Sequence, residues 1–283
     1  MAVDTYLTRE LIRLSLEEDA PNGDCTSECT VPEEKRARGQ VVARERLFTC
    51  GSEFLPVFLS AVGEKVTISK MEEDGVWVPE GSILCCLEAT ARTLLRIERP
   101  LLNFMQRLSG VASYTQEVVA SAAGVVVLDT RKTMPGYRQL DKYATRVGGA
   151  RNHRFSLSDM ILVKNNHMDV HDGDVARTLE SIVVKRPWYT PFEVEVRTLE
   201  ELKAALPFKP TAVLLDNMKN DEIAECLRVL ADRSPETLVE VSGGISGDRI
   251  LELKQIGVKA VSMGSLTTQA PNRDISMRIT VER

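Results

Sequence analysis

The sequence predicts an α/β protein, a parallel β/α barrel with an N-terminal α/β sandwich domain. Three observations predict it. After about residue 115, six short apolar runs rich in branched residues alternate with helical segments, and repeated β-α units place their strands parallel. The first hundred residues hold short glycine-punctuated runs beside helical stretches, the pattern of a small antiparallel sheet. No dinucleotide-binding glycine fingerprint accompanies the six runs, which favours a barrel over an open doubly wound sheet. The boundaries read as 1–114 for the sandwich, 115–267 for the barrel and 268–283 for a C-terminal tail.

In chain order, Thr8 to Leu16 has helical spacing, with Thr8 as its cap and Leu11, Ile12 and Leu16 on one face. Asn22-Gly23-Asp24 is turn chemistry. Short strands are expected at Gly39–Ala43, Val66–Ile68, Gly75–Val78 and Ser82–Leu84. Arg92 to Met105 is a longer helical pattern, and Pro100 is expected to kink it or to start a new helix, because proline has no amide hydrogen to donate. The barrel strands are expected at Val125–Leu128, Met160–Val163, Phe192–Val196, Ala212–Leu215, Leu238–Val241 and Ala260–Met263. Helices between them read as Asp174–Val184, Thr198–Ala205, Asn220–Arg233 and Ser246–Ile256.

Composition narrows the function. The 283 residues carry 36 Lys+Arg against 41 Asp+Glu, a net charge of −5, which argues against a nucleic-acid binder with a broad basic face. No apolar run approaches a membrane span, and the first residues lack the basic and apolar regions of a signal peptide, so a cytoplasmic protein is expected. The six cysteines (25, 29, 50, 85, 86 and 226) fit no zinc template and read as reduced, mostly buried thiols. Trp77 and Trp188 read as core or interface residues, and His167 and His171 as structural or loop residues.

The charge is uneven. From Arg131 to Lys164 eight basic residues face two acids, a net +6 that leaves −11 in the rest of the chain. Within it, Arg138, Lys142 and Arg146 read as an exposed helix face. Of the other charges, Arg131, Lys132 and Lys164 fall where the strands end. Five of the six runs lead into Asp129-Thr130-Arg131-Lys132, Lys164-Asn165-Asn166-His167, Asp216-Asn217, Ser242-Gly243-Gly244 and Gly264-Ser265, and the third contains Glu193 and Glu195 on one face. In a β/α barrel these positions open on the C-terminal face, where active sites lie. Glycine loops after the last two strands let backbone amides approach a phosphate. Arg131, Arg154 and Lys164 suit carboxylate or phosphate groups. Glu195 and Asp216 suit ribose hydroxyls or a hydrated Mg²⁺. A small anionic substrate with a phosphorylated sugar satisfies all of these groups together. Paired carboxylates for glycoside hydrolysis leave the basic cluster unexplained.

These residues resemble a known family. Glu98-Arg99-Pro100-Leu101-Leu102-Asn103, Asp129 to Gly136, Asn152-His153-Arg154, Lys164 to His167, Glu193-Val194-Glu195-Val196, Leu215 to Met218 and Ser242-Gly243-Gly244-Ile245 are similar, in order, to the motifs of quinolinate phosphoribosyltransferases. The resemblance runs from about residue 7 to 268. It implies transfer of a phosphoribosyl group from phosphoribosyl diphosphate to quinolinate, with loss of diphosphate and CO₂, in NAD biosynthesis. It further implies that Arg131, His153, Arg154 and Lys164 hold the quinolinate carboxylates, and that Lys132 and Thr133 sit near the diphosphate. By the same resemblance Glu195 and Asp216 serve the ribose and Mg²⁺, and Ser242, Gly243, Gly244, Gly264 and Ser265 surround phosphate. Lys164, Glu195, Asp216 and Lys132 are the implied catalytic set. Arg99 is expected to reach the partner's site in a homodimer, a higher oligomer being left open, and the tail to return to the sandwich.

The chain departs from the family pattern at Asn165, where an acid is common, at Thr268, near a customary His, and at Lys259, which replaces an acid. Two alternatives stay open on the residues alone. One is a related phosphoribosyltransferase for another pyridine or pyrimidine carboxylate. The other is a non-catalytic phosphosugar-binding regulator.

Overall fold

The computed structural model describes residues 2–281; Met1, Glu282 and Arg283, which the sequence boundaries include, lie outside the described residues. The chain divides into two compact units. The first gathers Met1–Glu117, Lys132–Gly149 and Ser265–Arg283, and the second gathers Val118–Arg131 and Ala150–Gly264.

The first unit begins with α1 (Tyr6–Asp19), capped by Thr5, whose hydroxyl accepts the Thr8 amide at 3.2 Å. The cap therefore lies three residues before the expected Thr8. Thr8 is 1 % exposed and pairs with the Thr5 hydroxyl at 3.0 Å. Next come α2 (Cys25–Thr30), β1 (Arg36–Ala43), β2 (Leu47–Phe48), α3 (Phe54–Ser60), β3 (Thr67–Met71), β4 (Trp77–Val78), β5 (Ile83–Thr90) and α4 (Ala91–Ser121). The α4 helix runs through Pro100 as one element. Leu94, Ile97, Leu101 and Leu108 are fully buried along it. Burying an apolar side chain contributes about 2 kcal/mol, so together they outweigh the bond that proline forfeits.

The C-terminal strand completes the first unit's sheet. This last strand in chain order, β12 (Ile275–Val281), pairs antiparallel with β1, from Ala37–Val281 to Ala43–Ile275, in the order β12-β1-β5-β3. The Trp77 segment lies outside this sheet and pairs with β2 in a two-stranded ribbon.

Residues 132–149, expected within the barrel, pack in the first unit. They contain α5 (Arg138–Val147), whose Leu140, Tyr143 and Ala144 join the same buried core as Phe54, Phe58 and Phe104. Phe104 stands 5.0 Å from Phe54 and stacks on Tyr137 at 5.8 Å, centroid to centroid. This packing corrects the exposed-face reading for Lys142, while Arg138 and Arg146 stay partly exposed and are tied to neighbours. Lys142 is 1 % exposed, Arg138 donates to the Thr133 hydroxyl at 3.2 Å, and Arg146 pairs with Glu53 at 3.0 Å. Of the cysteines, Cys50, Cys85, Cys86 and Cys226 are buried, Cys25 and Cys29 are exposed, and all are free thiols.

The second unit is a six-stranded parallel sheet with helices between its strands. Its elements are β6 (Val126–Leu128), β7 (Ile161–Val163), α6 (Asn165–Asp169), α7 (Val175–Lys185), β8 (Phe192–Val196), α8 (Leu199–Ala205), β9 (Ala212–Asp216), α9 (Asn220–Arg233), β10 (Leu238–Ser242), α10 (Gly247–Gln255) and β11 (Ala260–Ser262). The strand order is β6-β11-β10-β9-β8-β7. Among the described residues no ladder joins β6 to β7; Arg151 instead bridges Leu128 on the free edge of β6. The barrel is open along this seam. Asp174, Thr198 and Ser246 cap α7, α8 and α10 by accepting amides with their side chains, as short polar residues do at helix starts. Trp188, expected in core or interface, lies between α7 and β8 and is 87 % exposed. The four-residue helix α11 (Ser265–Thr268) follows β11 and belongs to the first unit.

Candidate functional site

The ends of the parallel strands bring together most of the residues singled out from the sequence. β7 ends just before Lys164, whose Nζ donates to Glu195 Oε2 on β8 at 2.6 Å; the Lys164 side chain is 48 % exposed and that of Glu195 only 9 %. The backbone amide of Asn165 adds a 3.4 Å bond to Glu195 Oε1. His167 Nδ1 accepts the Lys164 amide at 2.8 Å, which gives this histidine the structural place expected of it. A lysine held by a buried carboxylate becomes a fixed point charge.

Asp216 closes β9 and accepts from Asn217 Nδ2 at 2.9 Å. The Asn217 amide in turn donates to Ser242 O at 3.0 Å, which ties the ends of β9 and β10 together. Gly243 is confined by this contact. Its φ is +95°, and a Cβ there would fall 2.1 Å from Asn217 Oδ1. The Ser242-Gly243-Gly244 turn is therefore compact at Gly243, where Asn217 fills the space of a Cβ, and open at Gly244, where a Cβ would meet nothing within 4 Å.

Arg131 and Arg154 form the cationic part of the unit. Arg154 donates to Met160 O at 3.2 Å, and both burial and the neighbouring Arg131 charge lower its guanidinium from the ordinary value. Among the described residues neither arginine makes an ion pair, and Arg131 Nε is buried without a hydrogen-bond partner. Two mutually repelling guanidiniums, neither of them in an ion pair, favour an anionic ligand, although Glu193 and Asp159 offset part of the repulsion at Arg154.

Beneath the strand ends lies a second layer that sequence reasoning did not assemble. Asp129, fully buried, accepts Asn152 Nδ2 at 2.6 Å and the His153 amide at 2.9 Å. His153 Nε2 stands 3.2 Å from Glu193 Oε2 and 3.4 Å from Glu240 Oε2. Its other ring nitrogen, Nδ1, accepts the Arg154 amide at 2.7 Å. Both ring nitrogens are thus engaged within the chain. Burial and the adjacent Glu193 carboxylate push the Glu240 carboxyl up to about 7. The available signal for Glu240 was an acid in the middle of an apolar run, Leu238-Val239-Glu240-Val241, because strands of a parallel sheet are covered on both faces. A cavity of about 810 Å³ borders this layer and also touches Val126, Ala212, Leu238 and Ala260, the first residues of their strands. It therefore opens at the end of the barrel opposite Lys164 and Asp216.

Four implied site residues stand in the first unit. Arg99 is exposed on α4. Lys132 and Thr133 lie in the loop before α5, where the Lys132 carbonyl accepts the Thr267 hydroxyl at 2.6 Å. The loop is held further by the buried pair of Arg107 and Asp141 at 3.1 Å, since Asp141 also accepts the Met134 amide. Ser265 begins α11.

The chain is similar to known proteins over nearly its whole length. The family model for the quinolinate phosphoribosyl transferase C-terminal domain matches residues 111–278, and that for the N-terminal domain matches residues 24–109. A probable carboxylating nicotinate-nucleotide pyrophosphorylase of Methanocaldococcus jannaschii is 37 % identical over 280 residues, covering 95 % of this chain and 96 % of that protein. The carboxylating nicotinate-nucleotide pyrophosphorylase of Mycobacterium leprae is 36 % identical over 274 residues, with 95 % and 96 % covered. Among solved structures, NadC from Streptococcus pyogenes superposes with a TM-score of 0.89 at 31 % identity, covering 97 % of this chain and 96 % of that one.

Proposed function

The chain belongs to the quinolinate phosphoribosyl transferase family, and from that premise we propose how its own residues divide the work. The enzyme is a carboxylating nicotinate-nucleotide pyrophosphorylase of NAD biosynthesis. The bond from the anomeric carbon to diphosphate breaks, the quinolinate nitrogen bonds to that carbon, and the ring then loses CO₂. The observation that carries the assignment of roles is the unpaired Arg131 and Arg154 in the same unit as the Lys164–Glu195 pair.

The two guanidiniums take the quinolinate carboxylates, since each offers a planar fork to a carboxylate. Glu195 places negative charge where the sugar develops oxocarbenium character, and electrostatic stabilisation of that kind is a large term in catalysis. The ring nitrogen is the nucleophile, so orientation matters more than a general base. Loss of CO₂ leaves the electron pair of the broken C–C bond on a ring carbon beside the cationic nitrogen; that carbon then takes a proton from water, and until it does the Lys164 ammonium supplies a point charge opposite it. The Ser242-Gly243-Gly244 turn and Gly264 take phosphate through backbone amides and the serine hydroxyl. Lys132 and Thr133 at the diphosphate, Ser265 at phosphate, and Arg99 acting in the partner's site of a homodimer rest on the family resemblance.

Glu195 already accepts from Lys164 and Asn165, and Asp216 from Asn217. Such a pair does not build an all-protein cage, but it fits a Mg²⁺ that arrives on a diphosphate and keeps its waters. When bound, Mg²⁺ supplies neutralisation of the charge on the departing diphosphate. No helix among the described residues is long and apolar enough to cross a membrane, and we place the enzyme in the cytoplasm.

The test is product analysis with quinolinate and phosphoribosyl diphosphate. Equal release of CO₂ and diphosphate is expected. Diphosphate release that requires another acceptor assigns the chain to a related transferase, and binding without turnover assigns it to a regulator.

A further inference from the structure

His153 sits between the cations of the site and the buried acids beneath them, and its two ring nitrogens decide what it can do. Nδ1 accepts the Arg154 amide at 2.7 Å. A ring nitrogen that accepts an N–H carries no proton, so the proton of the neutral ring is on Nε2. That Nε2–H points at Glu193 Oε2 and Glu240 Oε2, 3.2 and 3.4 Å away. Glu193 is 2 % exposed and Glu240 5 %. No ring N–H is left to meet a substrate carboxylate.

The same observation disposes of a metal at this place. The ligand atoms of His153, Glu193 and Glu240 lie within 4.8 Å of one another, a spacing that would suit a cation. Ligation through Nε2 needs an unprotonated Nε2 and a proton on Nδ1. That proton would point straight at the Arg154 N–H. The backbone bond and the metal bond exclude each other, and the backbone bond is the one present.

We infer that His153 is a positioning residue: anchored at Nε2 by the Glu193–Glu240 pair, it fixes the Arg154 backbone through Nδ1 and so aims the Arg154 guanidinium at the substrate carboxylate. Asp129 supports the arrangement from the other side by holding the His153 amide and the Asn152 side chain. The inference rests on the proposed function for its substrate, while its tautomer requirement does not depend on any substrate. Arg154 thereby keeps its aim although its side chain has one hydrogen bond of its own, to Met160 O.

The experiment has two arms on the full-length protein. Nitrogen-15 NMR of labelled histidine, assigned by a His153→Asn control spectrum, reads the tautomer of the wild type with and without quinolinate. An unprotonated Nδ1 and a protonated Nε2 in both spectra are expected. An imidazolium, or a proton on Nδ1, in either spectrum overturns the inference. The second arm measures quinolinate affinity and kcat of His153→Ala and His153→Asn. Asparagine keeps an acceptor where Nδ1 stood, so it should restore most of the affinity that alanine loses, which is about 10-fold or more for an orienting partner. The kcat at saturation should change less than the KM in both variants. Equal loss in alanine and asparagine overturns the inference. If the wild type binds no quinolinate, the functional reading fails, and the tautomer spectrum still decides the inference.

Discussion

Glu193 and Glu195 lie two residues apart on one strand and point to the same side, yet they belong to different layers. Glu195, at the strand end, holds an ammonium on a side chain that is half exposed. Glu193, one step deeper, faces a neutral imidazole and a second buried acid. The outer layer is paired charge beside solvent, suited to meeting a substrate. The inner layer is buried scaffolding that holds the outer one in place. Residue type does not separate these roles; the partner and the depth do.

The comparison breaks most severely at Lys164. In Lys164→Ala, nucleotide formation should fall by roughly 10³-fold, the scale of losing a group aimed at developing charge, and the removal also strands the buried Glu195 carboxylate. A turnover assay checks it, and near-normal activity contradicts the assignment. Next is Arg131→Ala, for which the KM for quinolinate should rise by about 10- to 100-fold, since a charge-assisted contact contributes about 1.5–3 kcal/mol. Steady-state kinetics with phosphoribosyl diphosphate saturating would show it, and an unchanged KM contradicts it.

The inner layer answers to pH. Glu240 holds its proton up to about 7 in the folded protein, against 4.5 for an ordinary glutamate. Between those values the folded state carries a proton that the unfolded state has lost. Stability therefore falls as pH rises across this window, by an amount of order 1–3 kcal/mol. Urea melts of wild type and Glu240→Gln at pH 5 and pH 7.5 test this. The variant should show the smaller difference between the two pH values, and an equal or larger one contradicts the shift. An effect of similar size is expected at Gly243→Ala. Its left-handed φ of +95° and the approach of Asn217 should cost about 1–3 kcal/mol, seen as a drop of several degrees in Tm. An unchanged Tm contradicts the confinement of that turn.

Much of the outer layer was legible in the sequence, because a chemistry-bearing residue that follows an apolar run in a β/α repeat must emerge at one end of the sheet. Lys164, Asp216 and Ser242-Gly243 are found at those ends. The inner layer was less legible. Glu240 is alone among apolar neighbours, and nothing in its spacing says which residue crosses the lumen to meet it; the His153 partner comes from 87 residues earlier in the chain. Lys142 shows the converse error. Its place in a basic helix reads as exposed, and only the packing of α5 into the first unit's core buries it. The start of α1 was missed by one turn because Thr5 and Thr8 are equally good caps in composition, and the choice falls to Thr8 being buried.

The division of labour between the layers is tested most directly by the saturating kcat of Glu195→Gln set against that of Glu193→Gln, each measured on folded protein. A loss of about 100-fold or more is expected for Glu195→Gln. Glu193→Gln should stay within about 10-fold of wild type while its KM for quinolinate rises. Equal losses in kcat, or a larger one at Glu193, would contradict it.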